Sequence, residues 1–232
     1  MATEMKKLII VPAYNEELNI SKIIKEIKEY APGFDYVVIN DCSTDRTLDI
    51  CNSENINYIN LPVNLGIGGA MQTGYLYAYE NGYDVAVQLD GDGQHDAFYV
   101  KEMLRVLNEK NVDMVIGSRY IDKEGFQSST MRRAGIKYFT GLIKMITGKV
   151  ITDPTSGFRM AGKKVIKRFA CDYPRDYPEP ESVVRLLKDK YNVSEIPVVM
   201  RPRQGGKSSI SALNSVYYMV KVSIAIIVAG VK

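Results

Sequence analysis

The apolar run Val85-Ala86-Val87-Gln88-Leu89 ends in two acids one residue apart, within the turn Asp90-Gly91-Asp92-Gly93-Gln94-His95. Two carboxylates converging at a strand end repel each other unless a cation lies between them. Hard divalent ions take oxygen ligands, and Mg²⁺ is usually held by one or two carboxylates together with substrate phosphates. The pattern points to metal-assisted handling of a diphosphate, with Mg²⁺ or Mn²⁺ as the ion. The competing reading is a solvated turn, since Asp and Gly are ordinary turn formers.

Other polar clusters offer further chemistry. Asp41, in Asn40-Asp41-Cys42-Ser43-Thr44-Asp45, can accept hydrogen bonds from a base or ribose, or cap a helix from Thr44. Gly66-Ile67-Gly68-Gly69-Ala70 lacks the third glycine of a dinucleotide fingerprint, because Met71 stands there. These glycines would let a backbone approach a flat or phosphorylated ligand, or would simply open a helix. His95 is the sole histidine, and a lone histidine is more often structural than catalytic. No nucleophile elbow of the G-x-S-x-G type and no P-loop occurs.

The elements that position these clusters follow from apolar periodicity. Residues 8–11, 36–39, 56–61, 85–89 and 112–117 read as strands. Helical spacing separates them over 21–30, 44–53, 69–81 and 98–110. Alternating strands and helices predict a doubly wound, mostly parallel α/β sheet with helices on both faces, which binds ligands beyond the carboxyl ends of its strands. The clusters at 12–16, 40–45 and 90–95 all follow strands. The second half predicts helices over 131–147 and 182–191 and strands near 158–161 and 193–200. Residues 201–209 form a basic, glycine-containing loop.

The 232 residues suit one large domain, and 46% hydrophobic with 25% charged residues is an ordinary soluble composition. Three cysteines without metal spacing fit a reducing, cytoplasmic compartment, and the N-terminus does not read as a signal peptide. The net charge of +3 hides an asymmetry: residues 1–116 hold 9 Lys and Arg against 18 Asp and Glu, and the rest hold 21 against 9. An acidic half suits a metal, and a basic half suits phosphates or an anionic membrane. No stacking or groove-reading pattern supports nucleic acid. Residues 216–231 are mostly apolar but carry Lys221 and Ser223, and fall short of the ~20 residues that span a bilayer. That segment reads either as an interfacial helix or as one packed on the domain.

Taken in order, the motifs Pro12-Ala13-Tyr14-Asn15-Glu16, Asn40 to Asp45, Asn64-Leu65-Gly66, Asp90-Gly91-Asp92, Gly117-Ser118-Arg119, Asp153-Pro154-Thr155-Ser156-Gly157-Phe158-Arg159 and Arg203-Gln204-Gly205-Gly206-Lys207 form a set. The set resembles family 2 glycosyltransferases of the GT-A fold, in the branch of dolichyl-phosphate mannose synthase and bacterial polyprenyl-phosphate glycosyltransferases, over residues 6–210. The resemblance implies a GT-A domain over 1–210, with a nucleotide-binding half (1–117) and an acceptor half (118–210), followed by the apolar segment 211–232. It implies that Pro12, Ala13, Tyr14, Glu16, Asp41, Gly68, Asp90, Gly91 and Asp92 contact the donor, a UDP, GDP or dTDP sugar. Asp92 is then the metal ligand, with Gln94 as a second. Arg119, Arg203 and Lys207 would clamp phosphates, and Arg132, Arg133 and Arg203 would hold a lipid phosphate. Asp153 matches a proposed general base, with Glu179 and Glu181 as rivals. With a phosphate acceptor Asp153 would instead orient Arg159 or the acceptor. Asn40 stands where the family often has Asp, which removes one acid beside Asp41.

The expected activity is metal-dependent, inverting transfer from a nucleotide sugar to a polyprenyl phosphate or lipid-linked saccharide in cell-envelope glycan synthesis. The expected location is the inner face of the cell membrane, as a peripheral protein. The alternatives are a sugar-phosphate nucleotidyltransferase, against which the acidic, glycine-free residues 12–16 weigh, and a non-catalytic nucleotide-sugar-binding protein.

Overall fold

The computed structural model describes residues 4–122, 130–201 and 212–231, with backbone alone at 130–132 and 212–216. Its strands are β1 (Lys7–Ala13), β2 (Asp35–Asn40), β3 (Tyr58–Asn60), β4 (Val85–Gln88), β5 (Met114–Ser118), β6 (Arg159–Gly162) and β7 (Val193–Pro197). Its helices are α1 (Ile20–Tyr30), α2 (Thr47–Ser53), α3 (Gly66–Glu80), α4 (Val100–Glu109), α5 (Thr130–Thr147), α6 (Lys163–Cys171), α7 (Pro178–Lys188) and α8 (Ala212–Val231). The strands form one sheet in the order β3-β2-β1-β4-β6-β5-β7.

Strand β1 is an unbroken apolar run because both its faces are covered. Leu8 and Ile10 enter one core with residues of α3, α5, α6, α7 and α8, while Ile9 and Val11 enter the other with α1 and α4. Helix α1 buries Ile20, Ile23, Ile24 and Ile27, and α4 buries Val100, Met103, Val106 and Leu107; both stripes follow the helical repeat. This is the doubly wound architecture expected.

The departures lie mainly in the second half. Strand β6 runs antiparallel between β4 and β5, so Met160 pairs with both Val87 and Val115. Helix α6 was not anticipated, because Lys163, Lys164, Lys167 and Arg168 mask the buried Val165, Ile166 and Phe169 in a basic stretch. Helix α7 starts at Pro178, ahead of the expected 182, since prolines are tolerated in a first turn that lacks amide partners anyway. Helix α2 begins at Thr47 because residues 41–46 are held as a loop. With β1, β2, β4 and β5 pointing one way and β6 the other, the ends at Ala13, Asn40, Gln88 and Ser118 share one edge with the start of β6 at Arg159.

Candidate active site

Three loops are lashed together at that edge. The Gly91 amide donates to the Pro12 carbonyl (3.1 Å) and the Asp41 amide to the Ala13 carbonyl (2.9 Å), so the ends of β2 and β4 are clipped to β1. A Cβ at Gly91 would lie 2.8 Å from the Pro12 oxygen, so this approach requires glycine. Asn15 adopts a left-handed conformation (φ 57°). Its Oδ1 accepts from the Thr44 amide at 2.8 Å and the Asp45 amide at 3.3 Å, and its own amide donates to Ser43 Oγ at 2.9 Å. The Glu16 amide donates to Thr47 Oγ1 (2.8 Å). Asp45, not Asp41, accepts from the Thr47 amide that opens α2. The buried Asp41 carboxylate accepts from the Leu65 amide (2.7 Å), and Tyr14 stands exposed at the rim.

The paired acids follow β4. Asp90 Oδ1 accepts from Gln88 Nε2 at 2.8 Å, and the Asp90 amide donates to His95 Nδ1 at 3.0 Å. The imidazole proton is thereby left on Nε2, which lies 3.6 Å from Asp90 Oδ2. The buried His95 ring stacks on Phe158 with centroids 4.9 Å apart, so it steadies the acidic turn. Asp92 is also buried, and its Oδ1 accepts from the Gln94 amide (3.0 Å). The Gln94 side-chain nitrogen lies 3.5 Å from the Arg201 carbonyl. Among the described residues no three His, Cys, Asp or Glu side chains gather into a metal cluster. The chemistry of the donor set nevertheless fits Mg²⁺ or Mn²⁺: two carboxylates and one amide oxygen are a partial oxygen set that a diphosphate and water would complete.

A second cluster follows β5. Arg119 grips Asp153 in a fork, Nε to Oδ2 at 2.6 Å and Nη2 to Oδ1 at 2.7 Å, and Nη2 also reaches Thr155 Oγ1 at 3.0 Å. Burial works against the charge of Arg119, but the Asp153 carboxylate outweighs it and holds the guanidinium pKa above its ordinary value. Asp153 is 0% exposed, and both its oxygens face Arg119. A general base must reach the proton it removes; in this structure both oxygens of the carboxylate that the resemblance implies as base are engaged by Arg119. Asp153 does not orient Arg159. That buried guanidinium donates to the carbonyls of Ser156 (2.6 Å), Pro154 (2.8 Å) and Glu179 (2.9 Å), tying the loop before β6 to the start of α7.

Of the rival carboxylates, Glu181 pairs with Arg185 at 2.5 Å. Glu179 is half-buried, and burial raises its carboxyl pKa against the opposing charge of Arg159. Gly68 admits a backbone, but it is the chain's own: a Cβ there would lie 2.1 Å from the Arg175 carbonyl oxygen. That contact alone requires glycine at this position. Arg133 is exposed near the start of α5. Arg203, Lys207 and the side chain of Arg132 lie outside the described residues.

Sequence reasoning missed Glu195, which accepts from the amides of Thr152 (2.7 Å) and Asp153 (3.0 Å) and from Thr152 Oγ1 (3.0 Å). An acid inside the strand Val193–Pro197 was the available signal. It also missed Gln88, a buried amide in an apolar strand that holds Asp90.

Comparison with known proteins places this geometry. The chain is 26% identical over 230 residues to polyprenol monophosphomannose synthase of Mycolicibacterium smegmatis, covering 94% of this chain and 86% of that one. It is 26% identical to undecaprenyl-phosphate mannosyltransferase of Micrococcus luteus, covering 89% and 88%. Glucosyl-3-phosphoglycerate synthase of Mycobacterium tuberculosis, solved with phosphoglyceric acid, superposes with a TM-score of 0.75 at 17% identity over 97% of this chain and 80% of that one. The same enzyme solved with Mn²⁺, UDP and glucosyl-3-phosphoglycerate gives 0.73 at 17% identity over 98% and 80%. These two likenesses show the shared GT-A fold. The model of glycosyl transferase family 2 matches residues 8–170, spanning the lashed loops, the paired acids and the Arg119–Asp153 fork, and the chain belongs to that family of glycosyltransferases.

Proposed function

We propose that this glycosyltransferase moves a sugar, with inversion, from a nucleoside diphosphate sugar to the phosphate of a polyprenyl-type lipid at the cytoplasmic face of the cell membrane, in envelope glycan synthesis. The observation that carries the choice of acceptor is the sealed Asp153. A sugar hydroxyl near neutral pH needs a general base, whereas a lipid phosphate is already anionic. Here the best-placed carboxylate is spent on holding a guanidinium, the side chain suited to aiming donors at phosphate oxygens. The names of the two mannosyltransferases support the same acceptor class.

In this reading the Pro12 to Glu16 loop and Asp41 surround the nucleoside, and Asp90 meets the ribose side of the diphosphate. Mg²⁺ or Mn²⁺ held by Asp92, with Asp90 and Gln94 beside it, would neutralise charge on the departing diphosphate. Arg119 aims the acceptor phosphate. An acceptor oxygen attacks the anomeric carbon from the face opposite the diphosphate. The new carbon–oxygen bond forms as the old one breaks, its electron pair leaves with the nucleoside diphosphate, and no proton need be removed.

The test is transfer of labelled sugar from a panel of UDP, GDP and dTDP sugars to a short-chain prenyl phosphate and to the matching prenyl alcohol. Transfer to the phosphate alone, abolished by a chelator and giving the inverted anomer by NMR, is the expected result. Equal transfer to the alcohol would overturn the acceptor assignment.

A further inference from the structure

Helices α5 and α8 lie side by side and run the same way. A Cβ on Gly135 would sit 3.1 Å from Met219 Sδ, and one on Gly230 would sit 2.4 Å from Ile146 Cγ2. Between these points Ser223 Oγ donates to Tyr138 Oη at 3.2 Å. Helix α8 turns Val222, Ile226 and Ala229 into the core, and α5 turns in Ile136, Phe139, Leu142 and Ile143.

The opposite side of α8 is apolar and exposed. Tyr217, Val220, Ile224, Ile227 and Val231 recur every three or four residues, and Ile224 is 57% exposed. At 100° per residue they form one stripe, on the side away from Val222 and Ile226. On α5, Tyr138 and Met145 extend that stripe along the edge nearest α8, and Met145 is 76% exposed. Beyond them Arg133, Lys137 and Lys144 are all exposed and share the far edge of α5. Neither helix contains an acidic residue. Lys221, on the other flank of α8, pairs with Asp176 at 2.7 Å.

An apolar stripe bordered by cations is the signature of a helix face that lies in a lipid interface. We propose that the joint face of α5 and α8 seats the protein on an anionic bilayer surface, with the stripe among acyl chains and Lys137 and Lys144 among lipid phosphates. No helix among the described residues is long and apolar enough to cross a membrane, so the face lies on the bilayer. A second copy fits less well: an isologous contact would set an acid-free face against itself and bring no opposite charge to Lys137 and Lys144. The seat also adjoins the active site. The Tyr218 ring near the start of α8 meets Tyr177 (centroids 4.6 Å) and Phe139 (5.8 Å), and Tyr177 immediately precedes α7, whose start carries Glu179. A lipid phosphate at the bilayer surface would thus be presented beside the catalytic edge.

This inference deepens the lipid-acceptor reading, but its test does not depend on transfer. The full chain is floated with vesicles of phosphatidylcholine alone and with one-third phosphatidylglycerol. The expected result is binding that requires the anionic lipid and falls about tenfold or more in Lys137→Glu/Lys144→Glu, each cation near an anionic surface being worth about fivefold. Ile224→Asp should also release the protein from the anionic vesicles. Unchanged melting temperatures confirm that the variants fold, and unchanged transfer to a water-soluble prenyl phosphate shows that the active site is intact. Wild-type binding no stronger to anionic than to neutral vesicles, or variants that bind like wild type, would overturn the proposal. So would a wild-type dimer in sedimentation that Ile224→Asp dissolves while vesicle binding is absent. Vesicle binding without transfer to any prenyl phosphate would sink the proposed function and leave the membrane seat standing.

Discussion

The donor end and the acceptor end of the site are built from different contacts. At the donor end Asp41, Asp90 and Asp92 each accept a hydrogen bond from a neutral donor: the Leu65 amide, the Gln88 side-chain amide and the Gln94 amide. His95 accepts from the Asp90 amide at Nδ1. At the acceptor end Arg119 is matched by the buried Asp153, and Glu195 fixes the loop that carries Asp153 through two of its amides. Carboxylates grouped at strand ends suit a partner that arrives with positive charge. A cancelled guanidinium exerts little net field and instead contributes aim, since its fork fixes the direction of its remaining donors.

The contrast breaks most visibly if Asp153 is removed. Asp153→Ala leaves Arg119 buried without its partner, and breaking such a pair costs about 3–5 kcal/mol. Denaturant unfolding should show that loss together with the loss of transfer. Asp92→Ala should weigh mainly on rate: about 10²–10³-fold lower kcat, as for removal of one preorganised electrostatic group, with a smaller loss of stability than Asp153→Ala. The stabilisation that Mn²⁺ plus nucleoside diphosphate gives in a thermal melt should vanish with it. If Asp92→Ala unfolds the protein as readily as Asp153→Ala, the two ends do not differ in the way described. Gly68→Ala probes the join between the halves, because its methyl would meet the backbone oxygens of Pro174 and Arg175. Overpacking of this kind costs about 1–3 kcal/mol. That loss should appear in the unfolding midpoint, whereas a donor-contact role would raise the donor KM at constant stability.

The donor half was readable because its signals are local. The strand at 85–88, the turn acids and the helix stripe of Ile20, Ile23, Ile24 and Ile27 are each written within a dozen residues. The acceptor half depends on partners far apart in the chain. Arg119 and Asp153 are separated by 34 positions and Thr152 and Glu195 by 43, so no local pattern tells a base from a clamp. The same holds for β6: a four-residue strand carries no mark of its direction, which comes from pairing with both β4 and β5. Gly68 is ambiguous for a related reason. A glycine marks a close approach, but whether a ligand or the chain's own backbone approaches is a tertiary fact.

Glu179 sharpens the comparison on the smallest scale, since it lies where the two ends meet. Its carboxyl pKa is raised first by burial, with Arg159 as the main counterweight and Asp90 adding to the rise. The folded chain therefore holds this proton at pH values where the unfolded chain, with a carboxyl pKa of about 4.3, has lost it. Stability from the group is fully present below that unfolded value and is given up as pH rises through the higher native one. Glu179→Gln cannot ionise, so its melting temperature relative to wild type should climb between pH 4.5 and pH 8. Parallel melting curves across that range would mean that Arg159 and Arg119 fully balance the carboxylate, and Glu179 would then belong with the cancelled charges of the acceptor end. A widening gap instead sets it apart from them, as an acid whose ionisation the fold resists.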